Sequence, residues 1–251
     1  MKNIKIPSHR WGTECDPQRC ITDLLIPGTH DTMTSSCNLR YYQTQTLSLE
    51  QQLQIGVRFL DIRLTKEMIA AHREWFSDIS AVKIFDVLGE FLHQNPNEFI
   101  LIRLQNANEK KDDFLQYGHA LIAQISQYRD LFYQWNNKKS SQSFWPNIKE
   151  VMGKVIALEC SPPDMKLTHL NDNQIWATNW HSNPHILLQD LWDGPSITEK
   201  RNAIKELMIK SKSVSDTLVL NHISATNGIL EFPDAYARQL NLYTTELWQQ
   251  K

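Results

Sequence analysis

The chain has 251 residues, 41% of them hydrophobic and 22% charged, with a formal net charge of −2. That is enough apolar material for one ordinary core of barrel or layered type, and the near-neutral balance gives no electrostatic reason to expect a nucleic-acid partner. The four cysteines, Cys15, Cys20, Cys37 and Cys160, form no paired C-x-x-C motifs, so zinc and a disulfide framework are both weakly supported, with a Cys15–Cys20 bridge left open.

Taken in chain order, the opening Met1–Pro7 carries lysines but lacks the apolar stretch of ~7–15 residues that a secretory leader needs. No later run reaches the ~18 apolar residues of a membrane span. The expectation is a soluble chain, cytoplasmic or exported by a leaderless route, that touches membranes only peripherally. Strands are predicted at Thr22–Pro27, Val57–Ile62, Met68–His72, Glu98–Leu104, Gly153–Leu158, Ile186–Gln189 and Thr217–His222. Helices are predicted at Leu49–Gln54, Ala81–Gln94, Asp112–Tyr128, Glu199–Lys210 and Tyr236–Gln249. Ile84, Val87, Leu88, Phe91 and Leu92 form a one-sided stripe on the second of these. Apolar runs alternating with amphipathic ones favour a parallel sheet with helices outside it, and no repeat or linker argues for more than one domain over 1–251.

Three polar clusters follow strand-like runs: Pro27-Gly28-Thr29-His30-Asp31, Asp61-Ile62-Arg63 and Ala70-Ala71-His72. Two imidazoles, two carboxylates and a guanidinium at strand exits suit phosphodiester chemistry. One imidazole can take a proton, the other can give one, and the guanidinium can hold phosphorane oxygens. Asp61 lies two residues before Arg63, so on an extended strand both point to the same side and the acid can steer the base. The histidines outside these motifs and His222, namely His9, His93, His119, His169, His181 and His185, have no such context and read as structural or exposed.

Ile26-Pro27-Gly28-Thr29-His30-Asp31, then Gln52-Leu53, Gly56-Val57-Arg58, Leu60-Asp61-Ile62-Arg63 and His72, resemble in order the catalytic X region of bacterial-type phosphatidylinositol-specific phospholipase C. The likeness runs from about Trp11 to Ile102, with fainter echoes to Gly228. It implies a (β/α) TIM-type barrel, irregular or incomplete at its C-terminal side, with its reactive groups at the carboxyl ends of the strands. It further implies cleavage of phosphatidylinositol-type lipids to diacylglycerol and inositol 1,2-cyclic phosphate, with His30 as general base, His72 as general acid, and Arg63, Asp31 and Asp61 supporting them. In the calcium-dependent animal relatives the corresponding loops bind an ion. Arg63 replaces one of those acids here, so the expectation is no metal and no cofactor. Leu188-Gln189-Asp190-Leu191-Trp192 resembles the family segment that presents an acid to inositol hydroxyls and an aromatic ring to the sugar face, which makes Asp190 and Trp192 binding candidates.

The departures from the family pattern bear on substrate. Gln105 stands where bacterial members usually have lysine, although Arg103 on the same strand face could reach the pocket, and no basic residue lies near Glu159-Cys160. After Leu220-Asn221-His222-Ile223-Ser224 only the amphipathic stretch Tyr236–Trp248 follows, with no match to the family's eighth strand and its base-orienting aspartate. Either the chain is part of a longer one, or another carboxylate such as Asp31 takes that task, or catalysis is weak. The expected partner is a phospholipid surface met by a monomer, through rim aromatics Tyr41-Tyr42 and Trp75-Phe76 or by packing of those rings on the barrel top. The loop Asn137-Lys138-Lys139-Ser140-Ser141 reads as solvated. Two competing functions are a catalytically impaired headgroup- or membrane-binding module on the same barrel, and a metal-dependent glycerophosphodiesterase whose acidic ligand cluster Arg63 would disrupt.

Overall fold

Strand formation begins with the alternation in Phe59–Leu64, where Leu60, Ile62 and Leu64 are fully buried against helices while Phe59, Asp61 and Arg63 face the opposite side. The computed structural model describes residues 8–109, 111–135, 143–171, 173–228 and 232–249. In chain order its strands are β1 Gly28–Thr29, β2 Phe59–Leu64, β3 Ile69–His72, β4 Trp75–Ser80, β5 Ile100–Asn106, β6 Val155–Glu159, β7 His169–Asn171, β8 Gln174–Ile175, β9 Ala177–Asn179, β10 Ile186–Gln189 and β11 Leu218–Asn221. Its α-helices are α1 Leu49–Gln54, α2 Ala81–Gln94, α3 Phe114–Gln127, α4 Ile148–Val151, α5 Ile197–Lys210 and α6 Pro233–Gln249.

The main sheet runs β4-β3-β2-β5-β6-β9, with β1 added in parallel to the start of β2. Among the described residues, strands β10 and β11 pair only with each other, in parallel, and β7 with β8 form a separate antiparallel pair. The fold is an irregular TIM-type barrel that no continuous ladder closes among the described residues. Helices α2 and α3 cover the outer face of β2, β5 and β6, and the inner face packs Phe59, Leu101, Ile156, Leu158, Leu218 and Leu220 into a plug at the amino ends of the strands. The helices start where local chemistry dictates. Ser48 with Gln51, Asn147 with Glu150 and Ser196 with Glu199 form capping boxes, and Ser80 and Asp113 cap α2 and α3.

Leu49–Gln54, Ala81–Gln94 and Ile186–Gln189 form over the expected residues. Thr22–Pro27 does not form a strand. Ile21–Asp23 is a 3-10 turn, Leu25 is exposed, and only Gly28–Thr29 pairs with β2. Pro27 has no N–H to give a ladder, and its carbonyl receives both Arg58 N and Phe59 N. Strand β3 runs antiparallel to β2 and turns straight back into β4, which the alternating-element expectation lacks. Arg58 of the Gly56-Val57-Arg58 motif is structural. Fully buried, it lies 2.9 Å from Glu98, donates to the carbonyls of Leu53, Val57 and His9, and has Phe91 beneath its guanidinium. All four cysteines are free, Cys15 and Cys20 included. Among the described residues no helix is long and apolar enough to cross a membrane. Met1–Pro7 and the 137–141 loop lie outside the described residues.

Candidate active site

Two adjacent strands lay out the site. Asp61 is registered opposite Arg103 and Arg63 opposite Gln105, so the interior rows of β2 and β5 pass from apolar at the amino end to charged at the carboxyl end. The His30-Asp31 turn is brought over this edge by β1. A Cβ on Gly28 would fall 2.9 Å from the Phe59 Cβ, so only glycine permits that approach. Asp31 sits in the left-handed region at φ 43, its N–H donating to Asp61 Oδ2 at 3.1 Å, while Thr32 N–H donates to the Asp61 carbonyl. Gln52, buried in α1, accepts from Thr29 Oγ1 and donates to the Thr32 carbonyl, which locks the turn from behind.

The imidazoles meet on one carboxylate. His30 Nε2 lies 2.9 Å and His72 Nε2 3.3 Å from the same atom, Asp31 Oδ2. The other nitrogen of His30, Nδ1, lies 3.0 Å from Asp61 Oδ2. His72 Nδ1 is 2.8 Å from the Tyr42 carbonyl, an acceptor only, which assigns the Nδ1 proton and turns Nε2 into the site. Arg63 ties the two acids together, with Nε 2.6 Å from Asp31 Oδ1 and an Nη 3.0 Å from Asp61 Oδ2. Asp31 Oδ2 thus faces both imidazoles while Oδ1 faces Arg63.

Electrostatics follow from this packing. Burial alone would lower the pKa of His30, but the charge of Asp31 and hydrogen bonds to Asp31 and Asp61 outweigh it and push the imidazole up to about 9. His72 moves the other way because burial outweighs the pull of Asp31. Burial would raise both carboxyls. His30 and Arg63 hold Asp31 below its usual range, and Arg63 and Arg103 hold Asp61 well below. The packing therefore favours a charged His30 and a neutral His72 at neutral pH. His30, Asp31 and Asp61 offer ligand atoms within 4.8 Å of one another, a spacing that could hold a cation, but Arg63 already engages both acids there.

The other wall is formed by the ends of β5, β6, β10 and β11. Arg103 lies 3.5 Å from Asp61, donates to Cys160 Sγ and stands 4.4 Å from the Trp180 ring centroid. Asp190 accepts from His222 Nδ1 at 2.9 Å, and His222 stacks on Trp180. Burial would raise the Asp190 carboxyl, but His222, Arg103 and His30 lower it, which places it at the same mouth. Trp192 is 39% exposed with the Arg73 guanidinium over its ring, and Gln105 keeps a buried Oε1 without a hydrogen-bond partner. The expected residues thus gather around one opening. Sequence reasoning missed Trp180 and gave His222 no role, though a histidine at the end of an apolar strand was a usable signal. Of the rim aromatics, Tyr41 and Tyr42 are packed edge to edge, Tyr42 also against His72, and only Phe76 of the Trp75-Phe76 pair is largely exposed.

An open TIM-type barrel whose acid–base residues cluster at the carboxyl ends of its strands is the architecture of a barrel enzyme. The family model PI-PLC X 1 matches residues 17–158. A 1-phosphatidylinositol phosphodiesterase of Listeria monocytogenes is 30% identical over 243 residues, 94% of this chain and 74% of that protein. The human PI-PLC X domain-containing protein 1 is 25% identical over 137 residues, 41% of this chain and 42% of that one. Among solved structures, the phosphatidylinositol-specific phospholipase C from Listeria monocytogenes superposes with a TM-score of 0.85 at 28% identity, over 96% of this chain and 88% of that one. A variant of the Staphylococcus aureus phospholipase of the same specificity gives 0.78 at 22% identity, over 97% of this chain and 87% of that one, and shares the fold. The chain belongs to the phosphatidylinositol-specific phospholipase C X family, in its bacterial type.

Proposed function

We propose that the chain is a metal-independent phosphodiesterase of lyase type acting on phosphatidylinositol-type lipids. The observation that carries this reading is the convergence of both imidazoles on Asp31 Oδ2, with Arg63 alongside. Substrate would place its phosphate on Arg63 and its adjacent ring hydroxyl at His30 Nε2, displacing Asp31 from that nitrogen. Losing this carboxylate contact lowers the imidazole pKa and turns it into a base, while Asp61 keeps holding Nδ1–H. The Nε2 proton that His30 gives up passes by way of Asp31 Oδ2, which touches both rings, to His72 Nε2, so His72 enters the step charged. His30 then takes the hydroxyl proton, the oxygen attacks phosphorus, the bond from phosphorus to the diacylglycerol oxygen breaks, and His72 Nε2 gives that oxygen its proton. A charged His30 and a neutral His72 are what this step leaves behind, the same state that the packing favours. Hydrolysis of the cyclic phosphodiester uses them in reverse, and Asp31, touching both rings, is placed to return the proton.

Asp61 holds His30 Nδ1 and Arg63 with the same oxygen, which suits it to orient the imidazole. Asp190, Trp192, Arg103 and Gln105 form the headgroup wall. The exposed apolar side chains Leu39, Phe76, Leu191 and Trp192 suit contact with a lipid surface, which the chain, residues 1–251 as one domain, meets as a monomer without nucleic acid.

A second reading, a headgroup-binding module without turnover, draws support from the charged resting state of His30. Incubation with phosphatidylinositol vesicles and excess chelator, followed by phosphorus NMR, tests both. Inositol 1,2-cyclic phosphate, lost in His30→Ala and His72→Ala while vesicle binding persists, is the expected result. Binding without turnover selects the module, and turnover abolished by chelator overturns metal independence.

A further inference from the structure

The strands that carry the headgroup wall lack the support that the catalytic strands have. Among the described residues β10 and β11 pair only with each other, so no ladder from the main sheet fixes where Asp190, Trp192 and His222 stand. What lies behind them is a buried polar cluster. Lys200, on α5, is fully buried, a placement that lysine almost never takes without specific partners. Its ammonium donates to the Leu191 carbonyl at 2.6 Å and to Gln189 Oε1 at 3.1 Å. The same Gln189 oxygen accepts from Leu191 N–H at 2.8 Å, and Gln189 Nε2 donates to Asn221 Oδ1 and to the His222 carbonyl. Both polar atoms of the Leu191 peptide backbone are therefore held, midway between Asp190 and Trp192, and the end of β11 is tied to the same amide.

We propose that Lys200 and Gln189 form a positioning clamp that sets Asp190 and Trp192, and through the β11 end His222, for binding the polyol headgroup. This rests on the reading of Asp190 as a headgroup contact. The reasoning is one of alternatives. Leu191 lies in an exposed connection whose backbone would otherwise be satisfied by water, and a mobile connection would spend binding energy on ordering itself. A buried ammonium costs several kcal/mol to desolvate in general, so its retention calls for a geometric return. Burial lowers the pKa of Lys200 to about 8, and the charge of Asp190 partly counters it. The acid that the clamp positions thus also favours the charged form of its anchor. Asn221 Nδ2 donates to the Ile204 carbonyl, so α5 grips the two-stranded unit at a second point, and the clamp acts on a wall already docked to the helix.

Lys200→Met keeps the length of the side chain and removes its donors. It should raise KM for phosphatidylinositol vesicles roughly tenfold, with kcat within about twofold, because Lys200 touches the loop and not the reacting atoms. The weakening should appear equally in binding of free myo-inositol by catalytically dead His72→Ala protein. Thermal unfolding confirms that the variant is folded, and Gln189→Leu, which removes the same loop contact from the other side, provides an independent version should Lys200→Met not fold. Combined with Asp190→Ala, either clamp variant should raise KM by less than it does alone, since part of its action runs through the residue already removed. An unchanged KM in both clamp variants, or KM effects fully additive with Asp190→Ala, overturns the clamp while leaving the headgroup reading in place. An Asp190→Ala protein with normal KM overturns that reading and the clamp with it.

Discussion

The catalytic wall and the headgroup wall share one opening but are built in different ways. The first is an extension of secondary structure. Asp61 and Arg63 are spaced by the pleat of β2, and the His30-Asp31 turn is hydrogen-bonded onto the edge of the same ladder. The second takes Arg103 and Gln105 from β5, but its Asp190 and Trp192 hang on side chains, because β10 and β11 stand outside the main sheet and Lys200 and Gln189 supply what a neighbouring strand would. The family model ends at residue 158, before β10 and β11 begin. A ladder constrains which residues can occupy a position and so preserves a readable motif. A clamp of side chains preserves geometry while leaving the sequence freer to differ.

If that contrast holds, substitutions in the first wall should act on kcat and those in the second on KM. The largest effect should come from Asp61→Asn, which keeps the shape but loses the charge that orients Nδ1–H of His30 and seats Arg63. By the serine-protease precedent for an orienting acid, kcat should fall on the order of 10⁴-fold with KM little changed, read from initial rates of cyclic-phosphate release. Arg63→Lys should cost roughly 10²–10³-fold in kcat, since an ammonium cannot span both Asp31 and Asp61 and still face a phosphate. A KM-dominated loss in either variant would erase the distinction between the walls. Arg58→Met serves as a control away from both. It leaves Glu98 buried and unpaired, so stability should fall by about 3–5 kcal/mol in a denaturant melt while the protein that remains folded keeps its kinetics.

The first wall was also the more legible one. Gly28, His30, Asp31, Asp61, Arg63 and His72 were readable because strand exits and period-two spacing announce themselves locally. The antiparallel turn-back of β3 into β4 was not, since Arg73-Glu74 is not an Asn-Gly or Asp-Gly turn signal and Arg73 takes a left-handed φ of 54 against its type. The separation of β10 and β11 from the sheet could not be read at all, because Ile186–Gln189 and Leu218–Asn221 look like any interior strands and only their missing neighbours set them apart. Lys200 was hidden for a related reason. In a helix as polar as α5, a lysine reads as solvent-facing, and its burial depends on acceptors in a loop nine residues earlier in the chain. The role of Asp61 was legible in part: its pairing with Arg63 follows from strand geometry, while its contact with His30 depends on how β1 approaches β2.

The smallest expected effect is a shift along the pH axis. Turnover needs one proton shared by the two imidazoles, and in the free protein His30 holds it, so with the His30 pKa pushed up to about 9 and that of His72 lowered, kcat/KM against pH should fall on a descending limb well above the usual imidazole range. The sign follows from the partners. A folded-state pKa raised by Asp31 and Asp61 means that the charged imidazole is favoured below that value and given up as pH rises through it. Asp31→Asn removes the larger of the two raising influences and leaves Asp61 alone against burial, so the limb should move to lower pH. The plateau should drop as well, because His72 also loses its acid neighbour, but the midpoint of the limb is independent of that amplitude. Titration of the His30 ring by NMR in the same variant reads the shift directly, without turnover. A limb that stays in place would mean that the carboxylate between the two rings does not control the base, and the ion-pair geometry around Asp31 would then have no bearing on how the catalytic wall works.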